Sequence, residues 1–197
     1  MNEQFVVPSL GNCRIQSPLP LSTSSQEDNF RFVEDSQRIL YQATFNDLNQ
    51  HELFGGDSPI SFEAAGPRAM TFFDPSKVRA GIVTCGGLCP GINNVIRALV
   101  MQMYHNYGVR RIYGFRYGFQ GFIPKYRHDI MELTPDSVVN IHHQGGSILS
   151  SSRGPQDIGE IVDCLDRHTI KILFCIGGDG TLRGAHAIAQ EVKARDL

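Results

Sequence analysis

An apolar run, Phe174-Cys175-Ile176, passes straight into Gly177-Gly178-Asp179-Gly180-Thr181, and a second apolar run at 78–84 feeds Cys85-Gly86-Gly87-Leu88-Cys89-Pro90-Gly91. Glycines let backbone amides approach an anion, and a helix starting just after such a turn adds the positive end of its dipole. A carboxylate in the turn can hold Mg²⁺ bridging two phosphates. Gly86, Gly87, Gly178, Asp179, Gly180 and Thr181 thus describe a polyphosphate site, with Asp179 as its metal ligand. Arg153, in the serine-rich stretch Ser150-Ser151-Ser152-Arg153-Gly154, could clamp phosphate oxygens through its planar guanidinium. Each residue also has a plainer use. Glycine suits any tight strand-to-helix turn that needs positive φ, Asp179 could simply cap a helix, and Arg153 could be a solvated loop arginine. The aromatic, glycine-rich run from Tyr117 to Phe122 reads as a loop, packed either on the core or near a ligand.

Positioning these residues requires strands that end at the turns and helices that begin there. Residues 78–84 read as a strand. A helix follows in which Ile92, Val95, Ile96, Leu99 and Met103 recur at the spacing of one buried face, with Gly108 as its stop. Arg110 to Phe115 reads as the next strand, and the crossover between the two is right-handed. Thr134-Pro135 opens a helix as N-cap and N1, closed by Gly145-Gly146. A further helix from Pro155 carries Ile158, Ile161, Val162 and Leu165 on one face. Then come a strand at 170–176 and a helix at 182–194 with Ala185, Ile188, Ala189 and Val192 inward. Strands alternating with helices imply an α/β fold: a three-layer, Rossmann-like parallel sheet with helices on both faces. In such a sheet ligands lie beyond the carboxyl ends of the strands, so both glycine turns line one crevice.

The regular pattern begins at residue 77, giving an α/β domain at 77–197 preceded by an irregular extension or arm at 1–76. That arm contains the polar run at 22–29, which cannot fold alone, and the breaks Gly55-Gly56, Pro59, Gly66-Pro67 and Asp74-Pro75. Eighteen basic residues against 20 acidic ones give a formal charge of −2, with no basic tract, which argues against nucleic acid or an anionic membrane as partner. No apolar run approaches the roughly 20 residues of a membrane span. No secretory signal opens the chain, so a cytoplasmic location with reduced thiols is expected. Cys85 and Cys89 have no second Cys or His pair at zinc spacing. His142-His143 would point their rings apart on a helix, and read as surface residues.

Gly86-Gly87-Leu88-Cys89-Pro90-Gly91-Ile92-Asn93, Ser152-Arg153-Gly154-Pro155 and Gly177-Gly178-Asp179-Gly180-Thr181, in this order, resemble the 6-phosphofructokinase family. Thr84-Cys85 before the glycines, Leu88-Cys89 within the turn, Phe73-Asp74-Pro75, and Tyr113 to Gly118 are most similar to its longer, plant- and trypanosome-type ATP-dependent group. The resemblance covers roughly residues 60–197. It implies that Gly86 contacts nucleotide phosphates, that Arg153 and Gly154 lie along ATP, and that Gly178 to Thr181 wrap its phosphates with Asp179 reaching Mg²⁺. It also places Tyr117 near the nucleotide. A glycine at 180 goes with ATP in this family, whereas aspartate there goes with pyrophosphate as donor.

The implied reaction transfers phosphate from ATP to fructose 6-phosphate in an allosteric glycolytic homo-oligomer, a dimer or tetramer. The family's Thr-x-Asp-x-Asp, whose aspartate acts as base, does not follow Thr181 in these 197 residues, so no catalytic residue is expected here and the chain alone is expected to be inactive. Exposed strand edges and helix faces would then favour self-association. Two other readings stand beside this one. A non-catalytic nucleotide-binding or oligomerisation subunit would use the arm to dock a partner. A lipid or nicotinamide-dinucleotide kinase would share Gly-Gly-Asp-Gly-Thr but lack the upstream Gly-Gly-x-x-Pro-Gly-x-Asn.

Overall fold

The computed structural model describes residues 9–21, 31–41 and 61–197, and the chain divides into two units, Met1–Phe73 and Asp74–Leu197. The polar run at 22–29 and the breaks at Gly55-Gly56 and Pro59 lie outside the described residues. Within the first unit, β1 (Ile15–Gln16) pairs antiparallel with β4 (Met70–Thr71), and β2 (Arg38–Leu40) pairs antiparallel with β3 (Ser61–Glu63). Such short pairs bury little, and side chains supplement them. Arg68 donates to the carbonyls of Val33, Glu34 and Ala64 at 3.1, 2.6 and 2.6 Å.

The second unit follows the order β5 (Arg79–Thr84), α1 (Ile92–Met101), β6 (Arg111–Phe115), β7 (Ile130–Glu132), α2 (Pro135–Val138), α3 (Ile158–Arg167), β8 (Ile172–Ile176) and α4 (Asp179–Ala194). Its sheet has the spatial order β7-β6-β5-β8. β5, β6 and β8 run parallel, and β7 adds an antiparallel edge beside β6. Three residues with one weak apolar alternation left β7 illegible in the sequence. β5 is central, and a strand covered on both faces must be apolar throughout. Ala80, Ile82 and Val83 are fully buried there.

The pairing register puts Val83, Phe115 and Cys175 on one face and Ile82, Gly114 and Phe174 on the other. On the first face Val83 and Phe115 pack in one cluster with Phe122, Ile161, Val162, Leu165 and Ile188, joining α3 and α4 to the sheet. Phe115 stacks on Phe122 with ring centroids 4.0 Å apart. On the opposite face Leu133 and Leu149 lie over Gly114, where a β-carbon would collide with Leu149. Ile96 and Val100 of α1 and Val138 of α2 are fully buried.

Several boundaries differ from the sequence reading for identifiable reasons. The buried face of α1 is Ile92, Asn93, Ile96 and Val100, continued by Met103, while Val95 is exposed. A polar residue holds one place on that face because both its carboxamide nitrogen and its oxygen are hydrogen bonded, which apolar periodicity cannot detect. Residues Gln102–Asn106 widen into a π turn before Gly108, whose φ is +75°. Thr134 does cap α2, in a reciprocal box with Ser137, a cap typically worth about 1 kcal/mol. That helix nevertheless ends at Val138, and a 3-10 turn at Ile141–His143 precedes Gly145. The rings of His142 and His143 therefore lie side by side, with centroids 3.8 Å apart, rather than pointing apart as on a regular helix. α3 starts at Ile158, not Pro155, because the Asp157 carboxylate accepts from the Glu160 amide at 2.9 Å. On α4, Ala189 is exposed and Ile188 is the buried anchor.

Candidate functional site

Strands β5 and β8 are neighbours, so the turns that follow them meet. The Cys85 amide donates to the Ile176 carbonyl at 2.9 Å, extending the pairing into the first turn. Gly86, with φ at +80°, then bends the chain out of the sheet. Its ideal β-carbon would lie 4.0 Å from Thr181 Oγ1, which places the buried Thr181 hydroxyl between the two turns.

A third segment closes the arrangement. The Gly86 amide donates to the Ser152 carbonyl at 3.1 Å, and the Ser151 hydroxyl donates to the Gly86 carbonyl at 2.5 Å. Thr84, last in β5 and almost fully buried, donates its hydroxyl to the Ser150 carbonyl at 2.6 Å. With that proton committed, Ser147 Oγ, 2.8 Å away, donates to Thr84 Oγ1. Ser150 itself sits in the left-handed region at φ +57°, a conformation that non-glycine residues hold only when the surroundings enforce it.

The result is a cleft of about 700 Å³ lined by Gly86, Gly87 and Leu88 on one wall and by 145–147 and 150–153 on the other. Arg153 is exposed, and its guanidinium reaches over the first turn, since a β-carbon at Gly87 would lie 3.5 Å from Nη2. Among the described residues no carboxylate pairs with it. A glycine-rich wall opposed by a serine-rich wall bearing an exposed arginine suits a phosphorylated ligand.

Of the residues selected from sequence, Gly86, Gly87 and Arg153 line this cleft, while Gly154, Tyr117 and Gly178 to Thr181 do not. Tyr117 has φ at +62°, and its amide donates to the Leu149 carbonyl at 2.8 Å, tying its loop to the start of the serine segment. Its ring stacks on His128 with centroids 4.3 Å apart. Gly178 is the N-cap of α4 and Asp179 is the helix's first residue, with no side-chain cap hydrogen bond. Asp179 is thus not the cap that its type allowed, and its carboxylate is exposed. A β-carbon on Gly178 or Gly180 would meet nothing within 4 Å.

Magnesium in nucleotide sites takes one or two carboxylates, with phosphates and waters completing its octahedron, so a single exposed carboxylate between two open glycines fits that donor set. Sequence reasoning treated Gly145-Gly146 only as a helix stop, and did not select Leu88, Ser147, Thr84 or Asn93. A paired glycine leading into a serine-rich stretch was the available signal for the first of these.

Cys85 lies at the base of the first turn. Burial, and to a lesser degree the neighbouring Cys175, push its thiol up to about 12, and burial pushes Cys175 to about 11. Both stay protonated at neutral pH. Among the described residues there is no group of three His, Cys, Asp or Glu able to hold a metal. No helix among the described residues is long and apolar enough to cross a membrane.

The phosphofructokinase family model matches residues 79–195, which contain both glycine turns and the serine loop. The chain belongs to the phosphofructokinase family. It is 47% identical over 188 residues to the ATP-dependent 6-phosphofructokinase of Amycolatopsis methanolica, covering 95% of this chain and 40% of that protein. The enzyme of the same name from Trypanosoma brucei brucei is 44% identical over 180 residues, covering 91% of this chain and 37% of that one. The chain therefore spans about 40% of the length of such phosphofructokinases. Among solved structures, a pyrophosphate-dependent phosphofructokinase from Marinobacter aquaeolei superposes with a TM-score of 0.53 at 17% identity, over 61% of this chain and 31% of that one. At that identity the likeness concerns the phosphofructokinase fold alone.

Proposed function

We propose that residues 74–197 form the nucleotide side of an ATP-dependent 6-phosphofructokinase, which converts ATP and fructose 6-phosphate to ADP and fructose 1,6-bisphosphate. The observation that carries this reading is the start of α4, where Asp179 is exposed and uncapped between Gly178 and Gly180, both open to added atoms. Gly87 would offer its amide to the phosphates, and Gly86, whose amide and carbonyl are taken by Ser152 and Ser151, would lie against them, with Arg153 and Gly154 along the nucleotide. Gly178, Gly180 and Thr181 would wrap the phosphates, and Asp179 would hold Mg²⁺. Bound there, magnesium would neutralise charge on the phosphates. Tyr117 would border the nucleotide through the loop it anchors to Leu149.

Gly180 supports ATP as donor, because a carboxylate there would occupy and repel the space of the α-phosphate, a group that pyrophosphate lacks. The reading further takes the protein to be a cytoplasmic homo-oligomer of glycolysis, a dimer or tetramer under allosteric control.

Competition between Mg-ATP and magnesium pyrophosphate, read by calorimetry, tests this. Tighter binding of Mg-ATP is expected. Tighter binding of pyrophosphate would reverse the donor assignment.

A further inference from the structure

Asn93, in the first turn of α1, is 1% exposed, and both ends of its carboxamide are used. Nδ2 donates to the Gln144 carbonyl at 3.0 Å, and Oδ1 accepts from the Ile148 amide at 2.9 Å. Those two partners bracket Gly145, Gly146 and Ser147, which line the cleft wall facing Gly86 and Gly87. The remaining ties between the walls come from the same strand-turn-helix unit. Thr84 holds Ser147 and Ser150, and Gly86 holds Ser151 and Ser152. One wall is therefore fastened to the other at successive points, with Asn93 at the end nearest the helix.

We propose that Asn93 is a positioning residue that fixes the separation of the two cleft walls before a nucleotide enters, an inference that rests on the reading of this cleft as part of the nucleotide site. Only a carboxamide meets the requirement of one donor and one acceptor in this space. Aspartate would set an anion against the Gln144 carbonyl, and an aliphatic side chain of the same volume would leave two backbone groups without partners. Gly145 and Gly146 contribute no side chains to hold their own segment, so its position depends on the flanking ties. A wall held in place beforehand spares the ligand the entropic cost of ordering it.

Amide hydrogen exchange on the nucleotide-free chain tests this directly, because the Gly86 amide makes the bond to Ser152 that joins the walls. Asn93→Leu removes both hydrogen bonds while filling the space. Val138→Ala, a buried apolar truncation on α2, is the control for general destabilisation, and the two are compared at equal global stability. We expect Gly86 to exchange about tenfold faster in Asn93→Leu than in the control, with Mg-ATP affinity falling by a similar factor, as the loss of one or two net hydrogen bonds implies. Unchanged Gly86 protection, or the same increase in Val138→Ala, would overturn the proposal. Should Asn93→Leu fail to fold, Asn93→Asp is read in the same way. If the unsubstituted chain binds no Mg-ATP, the nucleotide reading fails, while the exchange comparison still decides whether Asn93 holds the walls.

Discussion

The Thr181 hydroxyl occupies the space in which a side chain on Gly177 would begin: a β-carbon there would overlap Thr181 Oγ1 and lie 2.6 Å from the Cys85 carbonyl oxygen. Gly177 is thus required by space and not by a positive φ, and its vacancy lets the two turns approach. Gly177→Ala is expected to lower stability by more than about 2 kcal/mol, whereas Gly178→Ala, in open space but at the N-cap, should cost about 1 kcal/mol or less. Denaturant unfolding of the two variants checks this, and equal costs would mean that the turns separate easily.

Gly180 separates fold from function in the opposite sense. A β-carbon there meets nothing within 4 Å, so Gly180→Asp, in the first turn of α4, should not lower the thermal midpoint. Its added carboxylate should weaken Mg-ATP binding at least about tenfold through like-charge repulsion with the phosphates. Unaltered affinity on titration would show that this side of α4 does not face the nucleotide.

The buried thiols set an alkaline limit. The unfolded chain loses the Cys85 proton near the ordinary thiol value of 9, whereas the folded chain holds it until about 12. Across that window the unfolded state binds fewer protons, so stability is intact below pH 9 and falls as pH rises, by up to about 1.4 kcal/mol per pH unit for each such group. Cys175, raised to about 11, acts in the same direction. Urea unfolding of Cys85→Ala against the unsubstituted chain between pH 8 and about 10.5 should show a shallower decline in the variant. Parallel declines would mean that the Cys85 thiol ionises without penalty in the folded state.

The parallel α/β core was legible because β5, α1, β8 and α4 each carry enough apolar residues for period and punctuation to agree. The two glycine turns followed from that order, since parallel neighbouring strands must deliver their loops to one edge. The second wall was harder to read. Gly145-Gly146 looks like a helix stop in sequence, and what makes it a cleft wall is a pair of hydrogen bonds to Asn93 more than fifty positions away. Asn93 and Thr84 interrupt or end apolar patterns, so hydrophobic periodicity assigns them no role. Only the pairing of their polar atoms explains their burial. β7 is short and antiparallel, and the truncation of α2 reflects a local 3-10 turn for which Thr134-Pro135 gives no warning.

In the proposed function, Asp179 at the start of α4 holds the magnesium of a bound nucleotide. Calorimetric titration of Mg-ATP into the chain and into Asp179→Ala addresses it most directly, because the exposed carboxylate makes no cap hydrogen bond and its removal costs the helix only its attraction to the dipole, about 0.3–1 kcal/mol. Saturable binding by the unsubstituted chain, lost or weakened at least about a hundredfold in Asp179→Ala with the fold retained, is the expected result. Equal binding by both proteins would contradict the assignment of Asp179 to the metal.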